Sequence, residues 1–230
     1  MKKRVLLSWS SGKDSAWALH VLRQQDEVDV VGLFSTVNQV HDRVAMHAVR
    51  RELLEQQAQQ TGLPLEVVEI PDPCSNADYE ARMSLFVERC QQRKIDCFAF
   101  GDLYLEDIRA YREQKLEGSG IGAIFPLWGI PTASLSRGMI DGGLQAHLTC
   151  IDPRQLSERF AGRKFNHSLL DELPTDVDPC GENGEFHSFV FAGPMFEGEI
   201  NITVGEVVQR DGFVFADLLP AERARSFDAA

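Results

Sequence analysis

The first hundred residues alternate short, nearly continuous apolar runs with longer segments of helical spacing. Arg4–Ser8, Val28–Phe34, Leu65–Ile70 and Asp96–Phe100 are the apolar runs, each closed by turn-forming residues such as Ser10–Gly12, Pro71-Asp72-Pro73 or Gly101-Asp102. Between them, residues 14–25 set Trp17 against Val21 and Leu19 against Leu22. Residues 43–60 place Ala45, Val49 and Leu53 on one stripe before Gly62 and Pro64. Residues 76–93 repeat Met83, Phe86, Val87 and Cys90 at i, i+3, i+4 and i+7. Strands this apolar, alternating with helices, predict a parallel sheet covered on both faces.

The rhythm changes beyond about residue 130. Residues 132–141 have helical spacing. Gln145–Ile151 reads as a strand, Phe186–Ala192 and Glu199–Val208 carry the β-branched and aromatic signature of strands, and Phe213–Phe215 adds a short one. The pattern predicts a doubly wound α/β domain over 1–130 and a smaller α+β lobe over 131–230, the latter facing substrate.

Composition narrows the possibilities. A chain of 230 residues with 43 % hydrophobic and 25 % charged residues is large enough to bury a core without disulfide or metal staples. The formal charge of −12 opposes non-specific nucleic-acid binding but leaves room for a local pocket for one nucleotide. The basic start Met1-Lys2-Lys3-Arg4 is followed only by Val5-Leu6-Leu7, too short for a secretion signal, and no run suggests a membrane span. Five cysteines, at 74, 90, 97, 150 and 180, form no CxxC pair. A cytoplasmic, reducing setting is the expectation, with no zinc knuckle or redox dithiol. His41 and His47 lack a third ligand, so no metal site is expected there.

The most informative residues lie between the first strand and the first helix. In Ser8-Trp9-Ser10-Ser11-Gly12-Lys13-Asp14-Ser15, a glycine lets the backbone curl around an anion, the helix start offers unpaired N–H groups, and Ser10, Ser11, Ser15 and Lys13 add donors and charge. Leu7 and Asp14 occupy positions where a Walker A loop has glycine and Ser/Thr. The bland alternative is an ordinary helix start, with Ser11 as N-cap and Asp14 completing a capping-box-like pair.

Ser10-Ser11-Gly12-Lys13-Asp14-Ser15 resembles the SGGxDS pyrophosphate loop of the N-type ATP pyrophosphatases, the adenine nucleotide alpha hydrolase superfamily, with Ser11 in place of the first glycine. Gly101-Asp102 through Arg109, Arg112-Glu113 and Pro126-Leu127-Trp128 resemble the GD…R…E…PLW pattern of diphthine–ammonia ligases. Gly181-Glu182-Asn183-Gly184-Glu185-Phe186-His187-Ser188 and Gly193-Pro194-Met195-Phe196 resemble their C-terminal signature. The resemblance implies parallel strand order 3-2-1-4-5, a smaller C-terminal lobe, and a ligand at the strand ends where the order reverses. The implied reaction is ATP-dependent amidation: adenylation of a carboxylate with release of pyrophosphate, then displacement of AMP by ammonia. The implied ligands are ATP with Mg²⁺, and a homodimer is the expected assembly. Diphthine, a modified histidine of elongation factor 2 in archaea and eukaryotes, is the family's acyl substrate; a bacterial source would lack it, so the acceptor is left open between a modified protein side chain and a small molecule.

Carried onto this chain, the resemblance assigns phosphate binding to Ser10 through Ser15, magnesium contacts to Asp14 and Asp102, and adenine to Phe34 and Ser35 at the end of the second strand. Gly101 joins the nucleotide site. Lys13, Asp102, Glu182 and Glu185 are candidate catalytic groups, and Glu106, Arg109 and His187 candidate substrate contacts. On spacing alone, Glu106, Asp107, Arg109 and Glu113 fit an ordinary solvated helix face. Glu182 and Glu185 equally fit a charged turn, His187 a half-buried strand histidine, and Trp128 a packing role. Two other functions compete: a tRNA-modifying enzyme, which shares the loop but is opposed by the missing CxxC and the acidic charge, and a nucleotide-binding regulator without turnover, like the universal stress proteins, which needs neither that loop nor the 181–188 carboxylates.

Overall fold

The computed structural model describes residues 1–39, 43–44 and 49–221; His41, Ala45 and His47 lie outside the described residues. The first half runs β1 (Lys3–Ser8), α1 (Lys13–Arg23), β2 (Val28–Asn38), β3 (Arg43–Val44), α2 (Arg51–Thr61), β4 (Leu65–Ile70), α3 (Asn76–Gln92), β5 (Cys97–Ala99), α4 (Glu106–Leu116) and β6 (Gly122–Ile124). The second half runs α5 (Thr132–Asp141), β7 (Gln145–Ile151), α6 (His167–Glu172), β8 (Phe186–Ala192), β9 (Ile202–Arg210) and β10 (Phe213–Pro220).

The five parallel strands stand in the order β4-β2-β1-β5-β6, which is the expected 3-2-1-4-5. β1 is buried on both faces, and its side chains alternate between two cores. Val5 and Leu7 join α1 and α2 on one face, while Leu6 joins Phe34, Phe86 and Phe98 beneath α3 on the other. This double burial is why the strand reads as an unbroken apolar run. The second sheet is antiparallel, in the order β8-β7-β10-β9. Its Leu148, Phe189 and Val190 belong to the same core as Val5 and Leu7, so the lobe packs against the α1 face.

Local signals set several boundaries. Gly62, at φ 69°, ends α2 as the sequence predicts. Ser75 caps α3 by accepting the Asp78 N–H at 3.1 Å, and Asp78 returns a bond to the Ser75 N–H.

Three sequence expectations change. The helix placed over 43–60 begins only at Arg51. Arg43–Val44 instead pairs antiparallel with Val37–Asn38, on the edge of β2 that β1 has left. Val44 and Val49 are buried, as a helical stripe would require, but Val44 is a strand residue paired with Val37, and its N–H donates to the Val49 carbonyl at 2.9 Å. β2 runs on to Asn38 because Ser35 through Asn38 find parallel partners in β4. β10 runs on to Pro220, past Asp217, which breaks the apolar pattern by pairing with Arg43 at 3.1 Å and Arg50 at 2.5 Å. Among the described residues no helix is long and apolar enough to cross a membrane.

Candidate active site

The chain leaves β1 at Ser8 and enters α1 at Lys13, with Gly12 as N-cap in extended backbone and no side-chain cap. The Ser11–Asp14 capping pair is not formed. Ser11 lies at φ 70°, which turns its side chain into the interior, where among the described residues its hydroxyl has no partner. Asp14 turns instead to Lys13. The other two hydroxyls organise the loop. Ser10 Oγ lies 3.2 Å from Ser15 Oγ and accepts the Gly12 N–H at 3.3 Å, while Ser15 Oγ donates to the Gly12 carbonyl at 3.0 Å. The first-turn N–H groups that follow have no intrahelical acceptor, which makes this end of α1 a place for an anion.

Left-handed backbone disfavours serine and suits glycine. Ser11→Gly is therefore expected to raise unfolding stability by about 1 kcal/mol, through relief of that backbone cost. Urea unfolding checks it; a loss of stability would mean that the buried hydroxyl contributes more than its backbone costs.

Against the loop lies a cleft of about 220 Å³. Ser10, Lys13 and Asp14 form one wall, Gly101 and Asp102 a second, and Glu182 and His187 a third. It adjoins a cavity of about 890 Å³ on the sheet face between α3 and α4, with Phe34, Phe98 and Phe100 beneath and Ser35 beside the loop. Gly101 has a specific reason to be glycine: a Cβ there would stand 2.9 Å from the backbone of Asp14 and Ser15. The end of β5 can thus approach the start of α1 closely.

Residues 1–122 match the model of the diphthamide synthase N-terminal domain, and residues 132–218 that of the diphthamide synthase C-terminal domain. The chain belongs to the diphthamide synthase family. Its members are ATP-utilising PP-loop enzymes of diphthamide biosynthesis. No curated protein matches the chain. Both matched segments build the cleft, the first contributing the loop and Asp102, the second Glu182, His187 and Ser188.

Within this family frame the candidate residues divide. Lys13 is buried, paired with Asp14 at 2.8 Å, and its ammonium also donates to the Cys180 carbonyl. Burial opposes its charge, but the Asp14 carboxylate prevails and raises the pKa. Asp102 accepts a bidentate pair from Arg112, at 2.5 and 3.1 Å, with the guanidinium 4.4 Å from the Phe100 ring. Glu182 Oε1 accepts the Leu103 N–H at 2.7 Å, and burial pushes its pKa up to about 7. His187 is half-buried on the cleft wall. Burial first, and then Lys13, lower its pKa to about 4, so it is neutral at pH 7 and a weak proton acceptor.

Glu185, Glu106 and Arg109 are not brought to the cleft. Glu185 is 1 % exposed and folds back under its own loop. One of its oxygens accepts the Asp178 N–H and the Asn183 amide, at 2.9 and 3.0 Å, and the other has no partner among the described residues. Along α4, Ile108, Arg112 and Lys115 face the larger cavity, one turn apart. Glu106 is exposed, and Arg109 pairs with Glu113 at 2.9 Å while stacking over Phe125 and Trp128. Glu106 thus lies on a solvated face, Arg109 is half-buried against two rings, and Trp128 packs beneath it. The sequence reading missed Ser188, whose hydroxyl accepts the Lys13 N–H at 3.2 Å, and Arg112 as the partner of Asp102. Arg112 stood in the GD…R…E pattern, but only the helical phase separates it from Arg109.

Proposed function

We propose that the chain is an ATP-dependent amide ligase that adenylates a carboxylate and amidates it with ammonia. The observation that carries the reading is the single cleft in which a phosphate loop at a helix start faces the Glu182 carboxylate from the other half of the chain. A nucleotide sensor without turnover has no need of that second wall.

In the first step the acceptor carboxylate attacks the α-phosphorus, a new O–P bond forms, and the bond to the pyrophosphate oxygen breaks. Ser10, Ser15 and the first N–H groups of α1 bind the departing pyrophosphate, and the buried Lys13–Asp14 pair holds the start of that helix in place. Catalysis here is positioning and charge stabilisation. Phe34 and Ser35 border the cavity, and the base of ATP would lie against them. Mg²⁺ suits the donor set, because it keeps most of its waters and takes one or two carboxylates besides phosphate. Asp14, 27 % exposed, and Asp102 are the residues that would hold it, sharing carboxylate oxygens that now accept from Lys13 and Arg112, and the ion would supply charge neutralisation on the phosphate oxygens.

In the second step ammonia attacks the acyl carbon, AMP leaves, and the nitrogen loses a proton. Glu182, with a pKa near 7, is matched to accept it. The family implies diphthine on elongation factor 2 as acceptor. The test is incubation of diphthine-bearing elongation factor 2 with ATP and ¹⁵N-ammonium. The expected result is one labelled amide nitrogen per AMP formed. AMP formation without label in the protein would overturn the ligase reading.

A further inference from the structure

Gln57, in the middle of α2, is fully buried and fully hydrogen-bonded. Its Oε1 accepts the indole N–H of Trp9 at 2.8 Å, and its Nε2 donates to the carbonyls of Ser11 at 3.0 Å and Val190 at 2.7 Å. The Val190 N–H donates to the same Ser11 carbonyl at 3.1 Å. Two donors thus hold that carbonyl from the interior side of the loop.

In a trans peptide the C=O and the following N–H point in opposite directions. With the Ser11 carbonyl drawn inward, the Gly12 N–H points the opposite way and donates to Ser10 Oγ at 3.3 Å; Gly12 is itself buried, and Ser10 beside it lines the phosphate cleft. The left-handed Ser11 backbone is a conformation a serine keeps only where its surroundings impose it. Gln57 and Val190 are those surroundings.

We propose that Gln57 is a positioning residue of the phosphate loop, holding the Ser11 carbonyl inward so that the Gly12 N–H, which rests on Ser10 Oγ, exchanges that acceptor for a phosphate oxygen when one enters the cleft. The inference rests on the reading of this loop as a pyrophosphate site. It also links the loop to the lobe, because Val190 lies on β8, the strand that carries His187 and Ser188.

Calorimetric titration of Gln57→Met with inorganic pyrophosphate and, separately, with adenosine tests it. Met keeps the length and volume but offers no donor. Pyrophosphate affinity is expected to fall about 10- to 100-fold, the scale of one hydrogen bond to a charged group, while adenosine affinity stays within about twofold. A folded variant that melts earlier but binds pyrophosphate as tightly as wild type would reduce Gln57 to a packing residue and overturn the assignment. Should the variant not fold, amide NMR of the wild-type protein decides. The Gly12 N–H resonance must move as pyrophosphate is added, and an unmoved Gly12 beside shifted Asp14 and Ser15 signals would refute the proposal. Wild-type protein that binds adenosine but no pyrophosphate would overturn the loop reading and this assignment with it.

Discussion

Glu182→Gln is expected to leave ATP affinity unchanged or slightly tighter, and to lower amide formation by about 10²–10⁴-fold, the usual contribution of a general base. Gln preserves the acceptor that takes the Leu103 N–H, so the contact between the lobe and the β5–α4 segment survives. Only the ability to take a proton is lost. Burial raises the Glu182 pKa to about 7, with the Asp14 carboxylate adding to the effect. The wild-type amidation rate should therefore rise as pH passes through 7, and the variant should lack that limb. Stability moves the opposite way. The native state holds the proton more tightly than the unfolded chain, so wild-type stability falls relative to Glu182→Gln as pH rises from about 4.5, the unfolded value, through 7. A variant that loses ATP affinity in step with turnover would make Glu182 a nucleotide contact instead.

Lys13→Met should unfold more easily by about 2–4 kcal/mol, because a half-broken ion pair leaves a charge without its counterpart in a poorly solvated place. Met retains the aliphatic stem near the Phe165 and Phe186 rings, which lie 5.9 and 5.5 Å from the ammonium, but it strands Asp14 and the Cys180 carbonyl. The figure sits below that of a fully buried pair because Asp14 keeps contact with water. Adding Asp14→Asn should recover part of the loss, since it removes the uncompensated charge. Urea unfolding measures both. A single variant as stable as wild type would mean that the pair contributes nothing to the fold. From the motif alone, Lys13 looks like a surface cation reaching for phosphate, whose loss leaves the fold intact; its burial gives it a structural duty as well.

The parallel sheet was legible because β1, β2 and β5 are covered on both faces, and such strands announce themselves as apolar runs. β8 was legible for its aromatic and β-branched content. Arg43–Val44 was not, since two residues carry no periodicity and only the free edge of β2 makes them a strand. The site was legible where chemistry is local to the backbone, in the Ser10–Ser15 loop and in Glu182. It was illegible where helical phase decides. Glu106 and Arg109 share a segment with Arg112, yet only Arg112 turns to the cavity. Glu185 stands three positions from Glu182 and points under the turn rather than over it. Gln57 continues the four-residue spacing of Val49 and Leu53 onto the buried face, but it is one of four glutamines in a polar run, and a polar residue does not register in an apolar stripe.

The central claim is chemistry at the α-phosphate, and ³¹P NMR of the phosphorus products tests it most directly. With ATP, magnesium, ammonium and diphthine-bearing elongation factor 2, the spectrum should show AMP and pyrophosphate growing together as ATP disappears. ADP and orthophosphate as the only products would contradict it.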